Sequence, residues 1–184
     1  MFSGPFLPYI APALQIRGLT SFRFALHPIF VSRIKQLVTA SVSGTDVVAL
    51  ARAWPRLERL HLECALTRGC APLSAMALAR AAAACPRLAR VMFPSVRAPS
   101  MFELAEMARA GEPPPAHALV AFELVDAGYR SAIEDPAVLA RFFHRLFPNL
   151  VLHSEGGAGK WKRTAEVLEL MKSASPLCVQ PEDD

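Results

Sequence analysis

The chain has 184 residues, of which 53% are hydrophobic and 20% are charged, and its formal net charge is +4. This composition is typical of one globular domain and excludes a disordered chain. The basic residues are spread out, and no run of five or more like charges occurs, which argues against a nucleic-acid partner. No apolar run reaches the roughly 18 residues that a membrane span needs. We therefore expect no membrane partner and a cytoplasmic or nuclear location.

The four cysteines, Cys64, Cys70, Cys85 and Cys178, form no CxxC pair and have no matching pair of histidines. Zinc sites usually show such spacing, so we expect no metal and no other cofactor. Reduced, packed thiols are the better interpretation.

Three segments are expected along the chain. Residues 1–15 are apolar and rich in proline, and they lack the basic start of a signal peptide. We interpret them as a cap on the first structural unit or as the remnant of a longer chain. Residues 16–176 are expected to form one repeat domain, and residues 177–184 a flexible acidic tail.

Residues 45–64 show the clearest helix and strand. We predict that Asp46 caps a helix whose apolar face is formed by Val47, Leu50, Ala51 and Trp54. Pro55 disfavours helical geometry at the preceding residue, so the helix should end there. The following segment Leu57–Cys64 has the pattern LxxLxLxxC, whose alternation of apolar and polar residues is typical of a strand with one buried face.

This unit recurs at a constant spacing along the chain. Leu57 and Leu88 follow the same Xaa-Pro-Arg motif, and Leu150 follows a related motif at twice that separation from Leu88. Leu119 occupies the intermediate position, so the four leucines are evenly spaced. A fixed period of about 31 residues is the signature of stacked supersecondary units.

Shifting the pattern of the first unit along the sequence locates the helices and strands of the other units. The predicted helix faces are Leu78, Ala81, Ala82 and Cys85, then Met101, Leu104, Ala105 and Ala108, then a helix that starts at Asp135-Pro136 and ends at Phe147. The predicted strands are Leu19–Phe24, Leu88–Phe93, Leu119–Leu124 and Leu150–Leu152. Trp161 and a helix over 163–172 are expected to cover the last strand.

A unit of about 31 residues has room for a strand, a crossover helix and two loops, which parallel pairing requires. The predicted fold is α/β: a short leucine-rich-repeat-like, right-handed solenoid with a parallel sheet of about four to five short strands and helices on the convex side. The alternative is an all-α stack of helix pairs, but LxxLxL has the period of a strand.

The amino-acid sequence of the repeats resembles the leucine-rich region of fungal F-box-like proteins. The matching segments are DVVALARAWPRLERLHL, ALARAAAACPRLARVMF and EDPAVLARFFHRLFPNL, followed by Trp161. The resemblance implies a substrate-binding arm of a ubiquitin-ligase receptor, with a protein ligand and, if an F-box lies upstream, the cullin-ligase linker subunit as partners. The F-box signal itself, a Leu-Pro-x-Glu start, is not found, because Leu7-Pro8 is followed by Tyr9-Ile10. A free-standing leucine-rich-repeat scaffold or regulatory protein without a ligase role is the alternative.

The polar residues of the predicted strands should line one exposed sheet face. We predict a non-enzymatic protein-binding surface there, with these candidate residues: Arg23, Arg59, His61, Glu63, Arg90, Met92 and Glu123. Arginine and methionine are favoured at protein interfaces. The alternative interpretation is a solvated sheet face with no dedicated partner, which would have the same geometry.

Other motifs do not predict catalysis. The segment Gly156–Lys160 resembles a phosphate-binding loop, but Ser154 and Trp161 stand where that motif needs glycine and Ser or Thr. His144 is expected to be a partly buried core histidine. A hydrolase-type α/β enzyme is the third and weakest interpretation, since no nucleophile accompanies His61 and Glu63 at a telling spacing.

Overall fold

The structure is a computed structural model that describes residues 2–26, 38–64, 72–111, 118–124, 133–154 and 159–174. The predicted tail 177–184, the cysteines Cys70 and Cys178 and most of the Gly156–Lys160 loop lie outside these residues. The strands are β1 (Phe2–Pro5), β2 (Ser21–Leu26), β3 (Val38–Ser41), β4 (Arg59–Cys64), β5 (Leu73–Ser74), β6 (Arg90–Phe93), β7 (Val96–Arg97), β8 (Ala121–Leu124) and β9 (Val151–Ser154). The helices are α1 (Leu7–Ile10), α2 (Gly44–Ala53), α3 (Ala75–Ala84), α4 (Met101–Ala110), α5 (Pro136–Leu146) and α6 (Lys160–Ala174), with a 3-10 turn at Ala13–Gln15.

The predicted α/β class and parallel sheet are confirmed. Five strands form one parallel sheet in the order β2-β4-β6-β8-β9, so every strand pairs with the next one in the series. One of the helices α2 to α5 lies in each connection between neighbouring strands. Two smaller parallel pairs, β1 with β3 and β5 with β7, were not predicted. No helix in the described ranges is long and apolar enough to cross a membrane.

The core lies between one face of the sheet and the helices. Along β4, Leu60 and Leu62 are fully buried, whereas Arg59 is exposed and His61 is only partly buried. The register places Phe22, Leu60, Val91, Phe122 and Leu152 in one row across the five strands. The ring of Phe122 packs edge-on against Phe143 of α5 and Trp161 of α6, with centroids 5.8 and 5.3 Å apart. Burial of this face is the main stabilising contribution of the repeats.

The Xaa-Pro-Xaa-Leu motif forms the same turn in each unit that contains it. The backbone N–H of the leucine donates to the carbonyl of the residue before the proline in Trp54–Leu57, Cys85–Leu88 and Phe147–Leu150, at 3.0 to 3.1 Å. The leucine that ends each turn is buried. Each predicted unit boundary is therefore a backbone turn whose last residue is a leucine buried in the core.

The last unit differs from the others by one residue. At the start of β4, the N–H groups of Glu58 and Arg59 both donate to the carbonyl of Thr20, and the same doubling occurs before β6 and β8. At β9, Val151 alone donates to Val120. The predicted strand starts at Leu88, Leu119 and Leu150 are all early, because the leucine belongs to the turn before the strand. β6 and β8 start two residues after their leucines, whereas β9 starts one residue after Leu150.

Cys85 connects two successive units. Its Sγ lies 3.4 Å from the Trp54 carbonyl and 3.2 Å from the Leu57 carbonyl, so the thiol reaches the turn of the preceding unit. Burial raises the pKa of this thiol above its ordinary value, although backbone hydrogen bonds oppose the change. The side chain therefore remains a protonated donor in the core.

Each end of the sheet is covered by a segment anchored through a tryptophan. At one end, Trp54 Nε1 donates to the Ala13 carbonyl at 3.1 Å, and Phe6 packs edge-on against Phe24 at 4.9 Å. At the other end, Trp161 Nε1 donates to the His153 carbonyl at 3.0 Å. Leu168 of α6 is also fully buried, so α6 covers the last strand.

The start of α2 corrects one prediction. Ser43, not Asp46, is the N-cap, because its hydroxyl accepts the Asp46 N–H at 3.2 Å. The Asp46 carboxylate accepts the Ser43 N–H at 2.8 Å, which completes a capping box. The helix consequently begins at Gly44. The predicted cap at Asp135, by contrast, is confirmed, since its carboxylate accepts the Ala137 N–H at 2.8 Å.

The rotation of α4 also differs from the prediction. Leu104 and Met107 pack against the core, whereas Met101 is 81% exposed and Ala108 is exposed. The physical reason is a bidentate ion pair: Arg97 Nη1 and Nη2 of β7 lie 2.6 and 2.9 Å from the Glu103 carboxylate oxygens. This contact turns the Glu103 side of the helix toward the small sheet.

Replacing Glu103 with glutamine should make the protein less stable near neutral pH by about 1–3 kcal/mol. Burial alone would raise the pKa of Glu103, but Arg97 and the capping contacts of Ser100 outweigh it and lower the pKa from 4.5 to about 2. The stabilisation is therefore complete above about pH 5 and is lost as the pH falls from about 4.5 to about 2. Unfolding titrations of both proteins over this range should show the difference closing.

The matched control is Glu106→Gln on the same helix. The Glu106 carboxylate lies 3.0 Å from Arg80, but both side chains are about half exposed, at 48% and 51%. The effect should stay within about 0.5 kcal/mol. A pH-independent difference between Glu103→Gln and wild type would contradict the assigned role of the ion pair.

Candidate functional site

The sheet face opposite the core carries polar residues in straight rows. One row crosses the whole sheet and takes one residue from each strand: Arg23, His61, Met92, Glu123 and His153. Each of these residues alternates along its strand with core residues, so the side chains point away from the helices. We call this surface the polar sheet face.

All seven residues predicted as candidate binding residues lie on the polar sheet face. Arg59 and Arg90 are in register with each other at the amino-terminal ends of β4 and β6. Glu63 lies at the other end of β4, in register with Ala25. That they bind a ligand remains a prediction.

The carboxylate of Glu63 lies close to two basic side chains at the β2 edge of this face. Its Oε2 lies 3.5 Å from Arg23 Nη2 and 3.5 Å from His61 Nε2. Arg23 is 66% exposed, so this ion pair contributes little to stability. Its effect is to fix the charge pattern of the face.

His61 is neutral near pH 7. Burial of the ring lowers its pKa below the ordinary value of 6.5, and the adjacent Arg23 acts in the same direction. The Glu63 and Glu123 carboxylates oppose this change but do not reverse it. At 3.5 Å, the contact between His61 and Glu63 is too long for a strong hydrogen bond. The imidazole therefore presents a neutral, polarisable surface in the middle of the face.

An open depression of about 770 Å³ lies across the centre of the polar sheet face. Its lining residues come from four strands and the residue before β8: Arg59, Leu60, His61, Arg90, Val91, Met92, Val120, Ala121, Glu123 and His153. Five of the seven predicted residues are among them. The other two, Arg23 and Glu63, lie beside the depression.

His153 is the member that sequence analysis missed. It lies in register with Glu123, because β9 starts one residue after its turn leucine whereas β4, β6 and β8 start two residues after theirs. The signal in the sequence was the shortened spacing of Leu150 and Leu152 compared with Leu57 and Leu60. That shift puts Val151 and His153, rather than their neighbours, on the polar sheet face.

The arrangement has the properties of a recognition surface. It combines arginine, methionine, histidine and carboxylates on a sheet whose other face is packed against the helices, so the side chains stand on a rigid base. In the described ranges, no group of three or more His, Cys, Asp or Glu side chains is placed to hold a metal ion. His144, on α5, is half-buried away from this face.

Comparison with known proteins assigns no family to the chain. The chain matches no protein-family model, no curated protein and no solved structure. The interpretation of the site therefore depends on the polar sheet face itself.

Proposed function

We propose that the chain is a non-enzymatic protein-binding module and that the polar sheet face receives a protein ligand. The observation that carries this proposal is the register: each strand contributes one side chain to the row from Arg23 to His153. Protein ligands bury broad surfaces and gain most from a few rigid anchors. An open depression supported by a packed sheet suits that mode of binding better than it suits a buried small molecule.

We further propose that the units stack as a short right-handed solenoid, with the helices on the convex side and the polar sheet face on the concave side. The sequential strand order and the helix in each connection support this arrangement. Parallel strands joined by helical crossovers are right-handed in nearly all proteins. A concave face formed in this way would surround a partner on several sides.

The resemblance of the repeats to fungal F-box-like proteins supports a more specific role as the substrate-binding arm of a ubiquitin-ligase receptor. The cullin-ligase linker subunit would then be a second partner, bound through an upstream F-box. The alternative is a free-standing scaffold or regulatory protein without a ligase role. The buried free thiol of Cys85 is compatible with the cytoplasmic or nuclear location that both roles need.

Affinity purification with matched variants tests the binding role. We expect a specific partner to co-purify with the wild-type chain and to be lost with His61→Ala/Met92→Ala, because truncating interface anchors commonly costs more than about 1 kcal/mol each. Quantitative mass spectrometry of the bound fractions gives the readout. Recovery of the linker subunit in the same experiment would support the ligase role.

The control carries two substitutions on exposed helix positions, Arg141→Ala and Lys162→Ala. These should leave the partner profile unchanged. A profile that is identical for the sheet variant, the helix variant and wild type would contradict a binding role for the polar sheet face.

A further inference from the structure

Two neighbouring arginines form the most strongly charged part of the polar sheet face. Arg59 and Arg90 are exposed and are directly in register on β4 and β6, so their Cα atoms lie roughly 4.8 Å apart. The turns that precede these strands carry two further exposed arginines, Arg56 and Arg87, with the same spacing along the chain. Positive charge thus outweighs negative charge at this end of the sheet, where Glu58 is the exposed acidic residue next to Arg59 in the chain.

The two arginines differ from Arg23 in their ionic partners. Arg23, at the edge of the face, is paired with Glu63, but neither Arg59 nor Arg90 has a carboxylate within ion-pair distance in the part of the chain that the structure describes. Like charges directly opposite each other on neighbouring strands are destabilising. An anionic ligand that bridges the two guanidinium groups would relieve this repulsion.

The surroundings of the arginine pair favour a peptide over a long polyanion. Glu123 lines the same depression, so a nucleic-acid backbone laid across it would bring phosphates against a carboxylate. Val120 and Val151, at the same end of the sheet, are 40% and 42% exposed. Exposed apolar side chains near paired cations suit a peptide in which an acidic residue adjoins apolar ones.

We propose that the ligand of the polar sheet face is a protein segment with an acidic residue, and that its carboxylate is bound between Arg59 and Arg90. This inference rests on the proposed protein-binding function and specifies the chemistry of the partner. Charge-assisted hydrogen bonds to guanidinium groups are about twice as strong as hydrogen bonds between neutral groups, and the planar fork of arginine matches a carboxylate. The acidic side chain would therefore set the register of the peptide on the sheet.

Selection from a display library of random short peptides tests this proposal on the full chain. Peptides selected by wild type should be enriched in Asp or Glu relative to the library. Their Kd values should rise about tenfold for each arginine replaced by alanine, and more for Arg59→Glu/Arg90→Glu. Binding should also weaken as the salt concentration increases.

The matched control is Arg141→Glu/Lys162→Glu, which changes the net charge equally at exposed helix positions. It should bind the selected peptides as wild type does. Circular dichroism of each variant checks that it is folded.

The remaining outcomes separate the inference from the proposed function. Peptides without acidic enrichment that nevertheless lose binding with His61→Ala/Met92→Ala would overturn the acidic ligand and retain the binding face. Peptides that bind all variants equally, or no selected peptides at all, would count against both. Binding of a labelled single-stranded oligonucleotide that requires Arg59 and Arg90, without acidic peptides, would replace the proposed ligand with nucleic acid.

Discussion

Replacing Trp161 with alanine is expected to lower the free energy of unfolding by about 3–5 kcal/mol. Trp161 is 1% exposed, and its ring contacts Phe122 and Phe143 at centroid distances of 5.3 and 6.3 Å. The substitution would leave a cavity where α6 meets the sheet and would remove the hydrogen bond to the His153 carbonyl. Chemical denaturation of both proteins measures the loss.

Two further variants separate the contributions of ring packing and of the hydrogen bond to this loss of stability. Trp161→Phe keeps an aromatic ring but loses the Nε1–H donor, so it should cost about 1 kcal/mol for the hydrogen bond plus part of the packing. Lys162→Ala, at the next and exposed position of α6, should stay within about 0.5 kcal/mol. If alanine at 161 cost no more than alanine at 162, α6 would not be packed on the sheet in solution.

Replacing Leu60 with alanine should cost about 2–5 kcal/mol, as is usual for fully buried leucines. Leu60 is 1% exposed and lies in the core row of β4, in register with Phe22 and Val91. Because two strands and the helix layer surround it, the cavity could not close by a local shift alone. A denaturant titration gives the size of the loss.

The neighbouring substitution Arg59→Ala is the control, and it should stay within about 0.5 kcal/mol because the side chain is exposed. A small stabilisation is also compatible, since the repulsion from Arg90 would be relieved. Comparable losses of stability at both positions would show that the face of β4 assigned to solvent is also buried. The same variant then serves as a folded reagent in the peptide-binding experiment.

Much of the sheet was predictable because strand burial is a local property. Leu57, Leu60 and Leu62 already identify the turn residue and the core face of β4, and the equivalent positions of the next unit are buried as well. Backbone alternation puts the intervening residues on the opposite face whatever the partners are. Six of the seven candidate residues follow from this rule in the three middle strands, and Arg23 follows from β2.

Local patterns failed where two solutions were equally good. Ser43 and Asp46 are both preferred N-cap residues, and only the reciprocal contacts of the capping box show which one caps α2. For α4, Leu104 belongs both to the predicted face and to the observed one, and the ion pair between Arg97 and Glu103 selects the rotation. Arg97 belongs to β7, a very short strand that no period in the sequence indicates.

The sequence by itself determined the repeat period, the unit boundaries and which side chains of the five predicted strands face the core. These features depend on residues close together along the chain, where backbone geometry and the burial of leucine are sufficient. Only the tertiary structure decided the register of β9, the rotation of α4 and the pairing of Arg23 with Glu63. Register and ion pairing depend on distances between side chains that are remote in sequence, and those distances exist only once the strands have paired.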